Sequence, residues 1–101
     1  MEEQERVAAF LAEHDLGADP TYRLLDLAAE VGELAGDATA STDYGESPGS
    51  LVVSETEVGD ALFSLLALCE ALDIDAGAAL DGALRKYRER IDATGGPGSD
   101  A

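Results

Sequence analysis

The chain has 101 residues, 22 acidic and six basic, and a formal net charge of −16. That balance disfavours nucleic-acid backbones and anionic membrane surfaces as partners, since both repel it. A hydrophobic fraction of 46% suffices for one modest domain, and with aromatics at only 5% its core must rest on Leu, Val and Ala, which favours helix.

The acidic residues are spread along the chain and not gathered in a tail. Such self-repulsion destabilises a compact state at low salt and is relieved by screening, so the surface reads as adapted to high salt. Met1-Glu2-Glu3-Gln4-Glu5 is acidic where a signal peptide would be basic, and no apolar run is long enough to span a membrane. The lone Cys69 has no internal partner. The expected setting is therefore cytoplasmic and reducing.

A first helix is expected over residues 2–15, with Val7, Phe10 and Leu11 as its apolar stripe, early glutamates suiting its dipole and Gly17 ending it. Asp19-Pro20 reads as an N-cap followed by proline at the first helical position. The second helix then runs to residue 38 with Leu24, Leu27, Val31, Leu34 and Ala35 inward. Residues 37–50 are rich in Ser, Thr, Gly and Asp and read as a mobile loop. Leu51-Val52-Val53 reads as a short extended stretch, Ser54 as the cap of a third helix over residues 55–72, and Asp75 as the cap of a fourth helix reaching residue 92. Leu80, Leu84, Tyr87 and Ile91 of that last helix are expected to face inward. The domain spans residues 1–93, followed by a disordered tail over residues 94–101. Strand signals are almost absent, so the fold class is all-α, a four-helix bundle. The third helix is apolar nearly all the way round, so a partner chain is expected to complete the bundle.

Two acidic pairs carry the chemistry: Glu30-Val31-Gly32-Glu33 and Glu57-Val58-Gly59-Asp60. Residues three apart share a helix face. In so acidic a chain roughly five such pairs arise by chance, and the bland alternative is a solvated face, for which helix two has the stripe Asp26, Glu30, Glu33, Asp37. Ser54-Glu55-Thr56-Glu57 also matches a capping box, in which Glu57 would bond back to the Ser54 amide. Against the bland reading, Glu57 and Asp60 sit in the first turns of an apolar helix, where carboxylates are poorly solvated unless paired or metal-bound. Ala29, Gly32 and Gly36 form a small-residue strip that would let another helix approach. Two facing pairs would pool four negative charges in one cleft, an arrangement that calls for divalent cations and, by that chemistry, for phosphates. The counter-charge lies in Arg85-Lys86-Tyr87-Arg88-Glu89-Arg90, with Lys86 and Arg90 on one face as a candidate phosphate clamp.

These motifs resemble the MazG-like nucleoside triphosphate pyrophosphohydrolases. The first pair lies in Leu27-Ala28-Ala29-Glu30-Val31-Gly32-Glu33-Leu34 and the second in Glu57-Val58-Gly59-Asp60-Ala61-Leu62-Phe63. Leu68-Cys69-Glu70-Ala71-Leu72-Asp73-Ile74-Asp75 is similar to the family's link into its last helix, and Lys86-Tyr87-Arg88-Glu89-Arg90 to its basic stretch. The resemblance covers residues 22–91. It departs at Ala29 and Thr56, where members often carry a further Glu, and at Leu84, where many have Asn. It implies Mg²⁺, with Mn²⁺ as substitute, held by Glu30, Glu33, Glu57 and Asp60, with Lys86 and Arg90 on the triphosphate. The implied reaction releases a nucleoside monophosphate and pyrophosphate, in a homodimer or homotetramer, as nucleotide-pool housekeeping. The competing class is a non-enzymatic acidic helical module adapted to high salt. Elsewhere, His14 reads as a partner of the first helix's C-terminal dipole, Cys69 as buried and inert, and Tyr87 as packing.

Overall fold

In the computed structural model, which describes residues 1–98, the chain is all-helical and no strand occurs among the described residues. Helix α1 spans Glu2–Glu13, α2 Pro20–Ser41, α3 Glu55–Ala71 and α4 Ala76–Thr94, with a 3-10 turn at Pro48–Ser50. No helix among the described residues is long and apolar enough to cross a membrane.

The ends of these helices are set by local chemistry. Pro20 occupies the first turn of α2 behind an extended Asp19, whose carbonyl accepts from Tyr22 and Arg23 while its side chain stays out of the cap. Ser54 Oγ accepts from the Glu57 amide at 3.4 Å, and Asp75 Oδ1 accepts from the Ala78 amide at 3.1 Å, so two of the three expected caps form, and the one at Asp19 does not. Helix α1 stops at Glu13, earlier than expected, and the left-handed residue that turns the chain is Asp15 (φ 52°), not Gly17. Asp tolerates this region better than most residues, and the Leu16 amide then reaches back to the Leu11 carbonyl at 2.9 Å.

The 37–50 segment departs furthest from expectation. Its first five residues continue α2, and its last three form the 3-10 turn. Between them Asp43, Tyr44 and Gly45 are successively left-handed (φ 52°, 56° and 88°), which reverses the chain in three residues. The loop is pinned to the helix it leaves. Ser47 N donates to Thr42 O at 2.8 Å, Gly45 N to the buried Thr42 hydroxyl at 2.9 Å, and Val52 N to Ser41 Oγ at 3.0 Å.

Helix α3 is the spine. It packs mainly against α2 and also against α1, and it supplies the buried Ser64, Leu66 and Ala67. The other expected core stripes are not covered within one chain. Leu24 and Val31 of α2 remain more than half exposed, and Leu80, Leu84, Tyr87 and Ile91 of α4 are 40–50% exposed, because α4 projects from the other three helices without packing along them. The Ala29-Gly32-Gly36 strip is likewise open: a Cβ added at either glycine meets nothing within 4 Å. The radius of gyration of 16.6 Å exceeds the about 13 Å of a compact chain of this length. At its far end α4 runs on to Thr94, with Gly95 left-handed (φ 84°) behind it and Arg90 donating to Pro97 O. The expected tail thus begins with a helical residue and a bonded turn, and residues 99–101 lie outside the described residues.

One polar side chain ties α4 to the rest. Gln4 is 7% exposed; its amide nitrogen donates to Glu70 Oε2 and to Ile74 O, both at 2.8 Å, and its carbonyl oxygen accepts from the Ala76 amide at 2.7 Å. Gln4 therefore grips the α3–α4 turn from both sides of Asp75. Substituting Gln4→Ala strands the Ile74 carbonyl and the Ala76 amide, and a loss of about 1–3 kcal/mol is expected for such orphaned groups. Urea unfolding followed by helical circular dichroism measures it; an unchanged midpoint would show that the grip is idle.

Candidate functional site

Packing of α2 on α3 brings the two acidic pairs together. Glu30 and Glu33 lie along α2, Glu57 and Asp60 in the first turns of α3, and Asp37 one turn beyond Glu33. The four expected residues sense one another. Burial raises the Glu30 carboxyl above its ordinary value, with Glu33, then Asp60 and Asp26 adding to the shift. Glu57 is pushed up to about 7, first by a hydrogen bond shared with Asp37, then by burial, and then by the charges of Asp37, Glu33 and Glu30. No cation is among the groups acting on either residue.

Glu30 Oε2 and Glu57 Oε2 are closed off from solvent although both side chains are half-exposed overall, and no donor reaches either oxygen. The charged groups acting on each are other carboxylates, a setting that a proton or a cation held between them relieves. Solvated acids on a salt-adapted surface would instead turn their oxygens outward. The site has the donor set of a hard divalent cation, and its two orphaned oxygens fit one. The side chains are not closed into a cage, since among the described residues no three Asp, Glu, His or Cys groups converge closely enough to hold an ion as they stand.

The expected capping box forms only in half. The Ser54 hydroxyl accepts from Glu57 N, but the Ser54 amide donates to Asp37 Oδ2 at 3.3 Å and not to the Glu57 carboxylate. Asp37 takes the role a capping-box Glu would have had, and Glu57 is left facing the cluster. Sequence reading had Asp37 in the acidic stripe but at the start of a loop. The signal that places it at the site is the stripe's own spacing, continued one turn further along a helix that does not end at residue 38.

A second residue was missed. A cavity of about 340 Å³ beside the cluster is lined by Arg23, Asp26, Glu30, Asp60, Phe63 and Ser64. Arg23 lies two helical turns before Glu30 on the same face, and its guanidinium donates to the Leu16 carbonyl, which ties it to the α1–α2 turn. It is the one cation on the wall of the acidic cavity.

Lys86 and Arg90, the expected phosphate clamp, are not brought to the acids. They sit on α4 against Tyr87, whose ring centre lies 5.1 Å from Lys86 Nζ and 5.8 Å from the Arg90 guanidinium carbon. Tyr87 packs against these cations and not in a core, because no helix covers α4. His14 closes α1 and stacks on Phe10 with ring centres 4.6 Å apart. Cys69 is half-buried, not buried; its thiol is pushed up by burial and then by Glu70, which keeps it protonated and unreactive. No family model matches the chain, and no curated protein or solved structure matches it.

The Glu57 shift has a consequence for stability. Its carboxyl rises from 4.5 to about 7 on folding, so between those values the folded chain holds a proton that the unfolded chain has lost. The stability this group contributes is complete below pH 4.5 and is lost as pH rises through about 7. Glu57→Gln keeps the neutral form throughout. In metal-free buffer its thermal midpoint should match the parent's at pH 4.5 and exceed it at pH 7 and above. A difference that stays constant across that window would mean Glu57 does not face the other acids.

Proposed function

We propose that the chain is a Mg²⁺-dependent nucleoside triphosphate pyrophosphohydrolase of the MazG-like kind, acting in the cytoplasm on the nucleotide pool. The observation that carries this reading is the placing of Glu30 and Glu33 on α2 near Glu57 and Asp60 on the packed α3, with enclosed oxygens on Glu30 and Glu57 that no donor satisfies. The resemblance of residues 22–91 to that family supports the same assignment of roles. In the proposed reaction water adds to the α-phosphorus of a nucleoside triphosphate and the bond to the bridging oxygen of the β-phosphate breaks, giving the monophosphate and pyrophosphate.

Glu30, Glu33, Glu57 and Asp60 would hold Mg²⁺, with Mn²⁺ as substitute. When bound, the ion supplies charge neutralisation at the phosphates and acidifies water. The chain's own groups do the rest. One of the four carboxylates takes the proton of the attacking water. Asp37 holds the α3 N-terminus through the Ser54 amide and so sets where Glu57 stands. Lys86 and Arg90 grip the triphosphate in this reading, which requires α4 to meet the acids in an assembly. A homodimer or homotetramer is therefore part of the proposal, and the apolar surface left open on α2 and α4 supports it.

The second reading, a non-enzymatic acidic helical module, is favoured by that same open apolar surface and by the uncaged placement of the acids. The two readings part on one assay: pyrophosphate release from a nucleotide panel with Mg²⁺ and with chelator. An enzyme gives Mg²⁺-dependent release, and a module gives none. Glu33→Ala or Asp60→Ala should lower that release by at least the roughly 10–100-fold seen when partners of metal ligands are removed, with helical circular dichroism unchanged. Full activity in both variants would discard the assigned ligands.

A further inference from the structure

The acidic row of α2 begins with a cation. Arg23, Asp26, Glu30, Glu33 and Asp37 follow one another at intervals of three, four, three and four residues, so they share one face of the helix. Arg23 stands at the α1–α2 end of that face, about 10 Å of helical rise from Glu30. Two observations set it apart from an ordinary counter-charge. Asp26 is close enough in sequence for a helical ion pair, yet no carboxylate lies within 4.0 Å of Arg23 among the described residues. The guanidinium is bonded instead to the Leu16 carbonyl, which uses one N–H donor and leaves the rest of the fork unbonded among the described residues. The half-buried Arg23 is thus tethered to backbone on the wall of the 340 Å³ cavity that it shares with Asp26, Glu30, Asp60, Phe63 and Ser64.

A tethered cation with donors to spare, at the edge of a cavity walled by acids, fits a ligand that carries both signs of charge. A polyphosphate bound to a divalent ion is such a ligand. The ion answers the carboxylates, and the phosphate oxygens answer the planar guanidinium, which matches them in two-point contact. Without the ion, Asp26, Glu30 and Asp60 on the same wall repel the anion. Binding of the phosphates should therefore depend on the ion even though Arg23 does not touch it.

We infer that Arg23 is a phosphate-binding residue of the acidic cavity: its fork takes non-bridging oxygens of the triphosphate at the end of the α2 row, from the same chain that supplies the acids. The class of ligand rests on the proposed function. The contact itself needs no second copy, unlike one from Lys86 and Arg90, which lie on α4 against Tyr87 and away from the acids.

Calorimetric titration of the full chain with inorganic triphosphate, in KCl buffer with Mg²⁺ and again with chelator, reads this contact without turnover and without any base preference. The parent should bind triphosphate only with Mg²⁺. Arg23→Gln should bind it at least about 10-fold more weakly, as expected for a lost hydrogen bond to a charged group. Arg23→Lys keeps the charge and a donor for Leu16 but not the fork, and should fall between the two. A titration with Mg²⁺ alone should give Arg23→Gln an affinity no lower than the parent's, since that step needs only the acids. Loss of Mg²⁺ and triphosphate binding together would assign Arg23 to bracing the α1–α2 turn and overturn the inference. Equal triphosphate binding by the parent and either variant would overturn it too, while leaving the proposed function standing. A parent that takes up no triphosphate with Mg²⁺ would remove both.

Discussion

The packing of α2 on α3 is the contact on which the rest of the molecule turns. The apolar packing that buries Leu66 and Ala67 also fixes how near Glu57 stands to Glu30, Glu33 and Asp37. Apolar burial is non-directional and strong enough to hold groups together that would otherwise repel. Carboxylates held this way, with no donor at two of their oxygens, must keep a proton, capture a cation or rely on dense salt. The upward shifts of Glu30 and Glu57 correspond to the first of these responses. Binding a divalent ion, as in the proposed function, would be the second.

The cations of this chain are gathered on one element, while its acids occur on all four helices. Acids line α2 and the start of α3, while four of the six cations fall within residues 85–90 of α4. Arg6 and Arg23 are the exceptions, and Arg23 is held at the acidic cavity by its bond to the Leu16 carbonyl. Sorting of this kind leaves a lone chain with repulsion on one side and unpaired cations on the other. Salt screens both over a few ångströms, which suits the high-salt habit read from the net charge. Screening does nothing for the exposed stripe on α4, whose burial needs another surface.

What the sequence made legible follows from how local each determinant is. Ser54 and Asp75 each cap a helix where expected, because a cap involves atoms only two or three residues away, and Pro20 starts α2 through its fixed backbone without a cap bond from Asp19. The acidic pairs lie on helices that pack against each other, since helix periodicity and the apolar face of α3 leave few other ways to pack, but their side chains do not close into a cage. The end of α2 was misread because Asp-Ala-Thr-Ala-Ser over residues 37–41 has loop composition; Thr39, Ser41 and Thr42 instead turn their hydroxyls back to carbonyls of the preceding turn and keep it helical. Asp15 in place of Gly17 was a choice between two tolerant residues that composition does not rank. The inward stripe on α4 was legible as a stripe, but periodicity cannot say whose core it enters.

The Ser54 amide shows most directly why the acids converge. Had Glu57 closed the capping box, its carboxylate would have accepted an amide hydrogen bond and stood ionised at low cost. Asp37 takes that amide from across the helix pair instead. The same cap is satisfied, but Glu57 is left sharing a hydrogen bond with Asp37, shielded from water and beside like charges, which in that order raise its carboxyl to about 7. For helix capping alone the exchange gains nothing and strains the cluster. It would gain something if a cation were held among the acids, because two positive charges would oppose the repulsion that Asp37, Glu33 and Glu30 exert on Glu57.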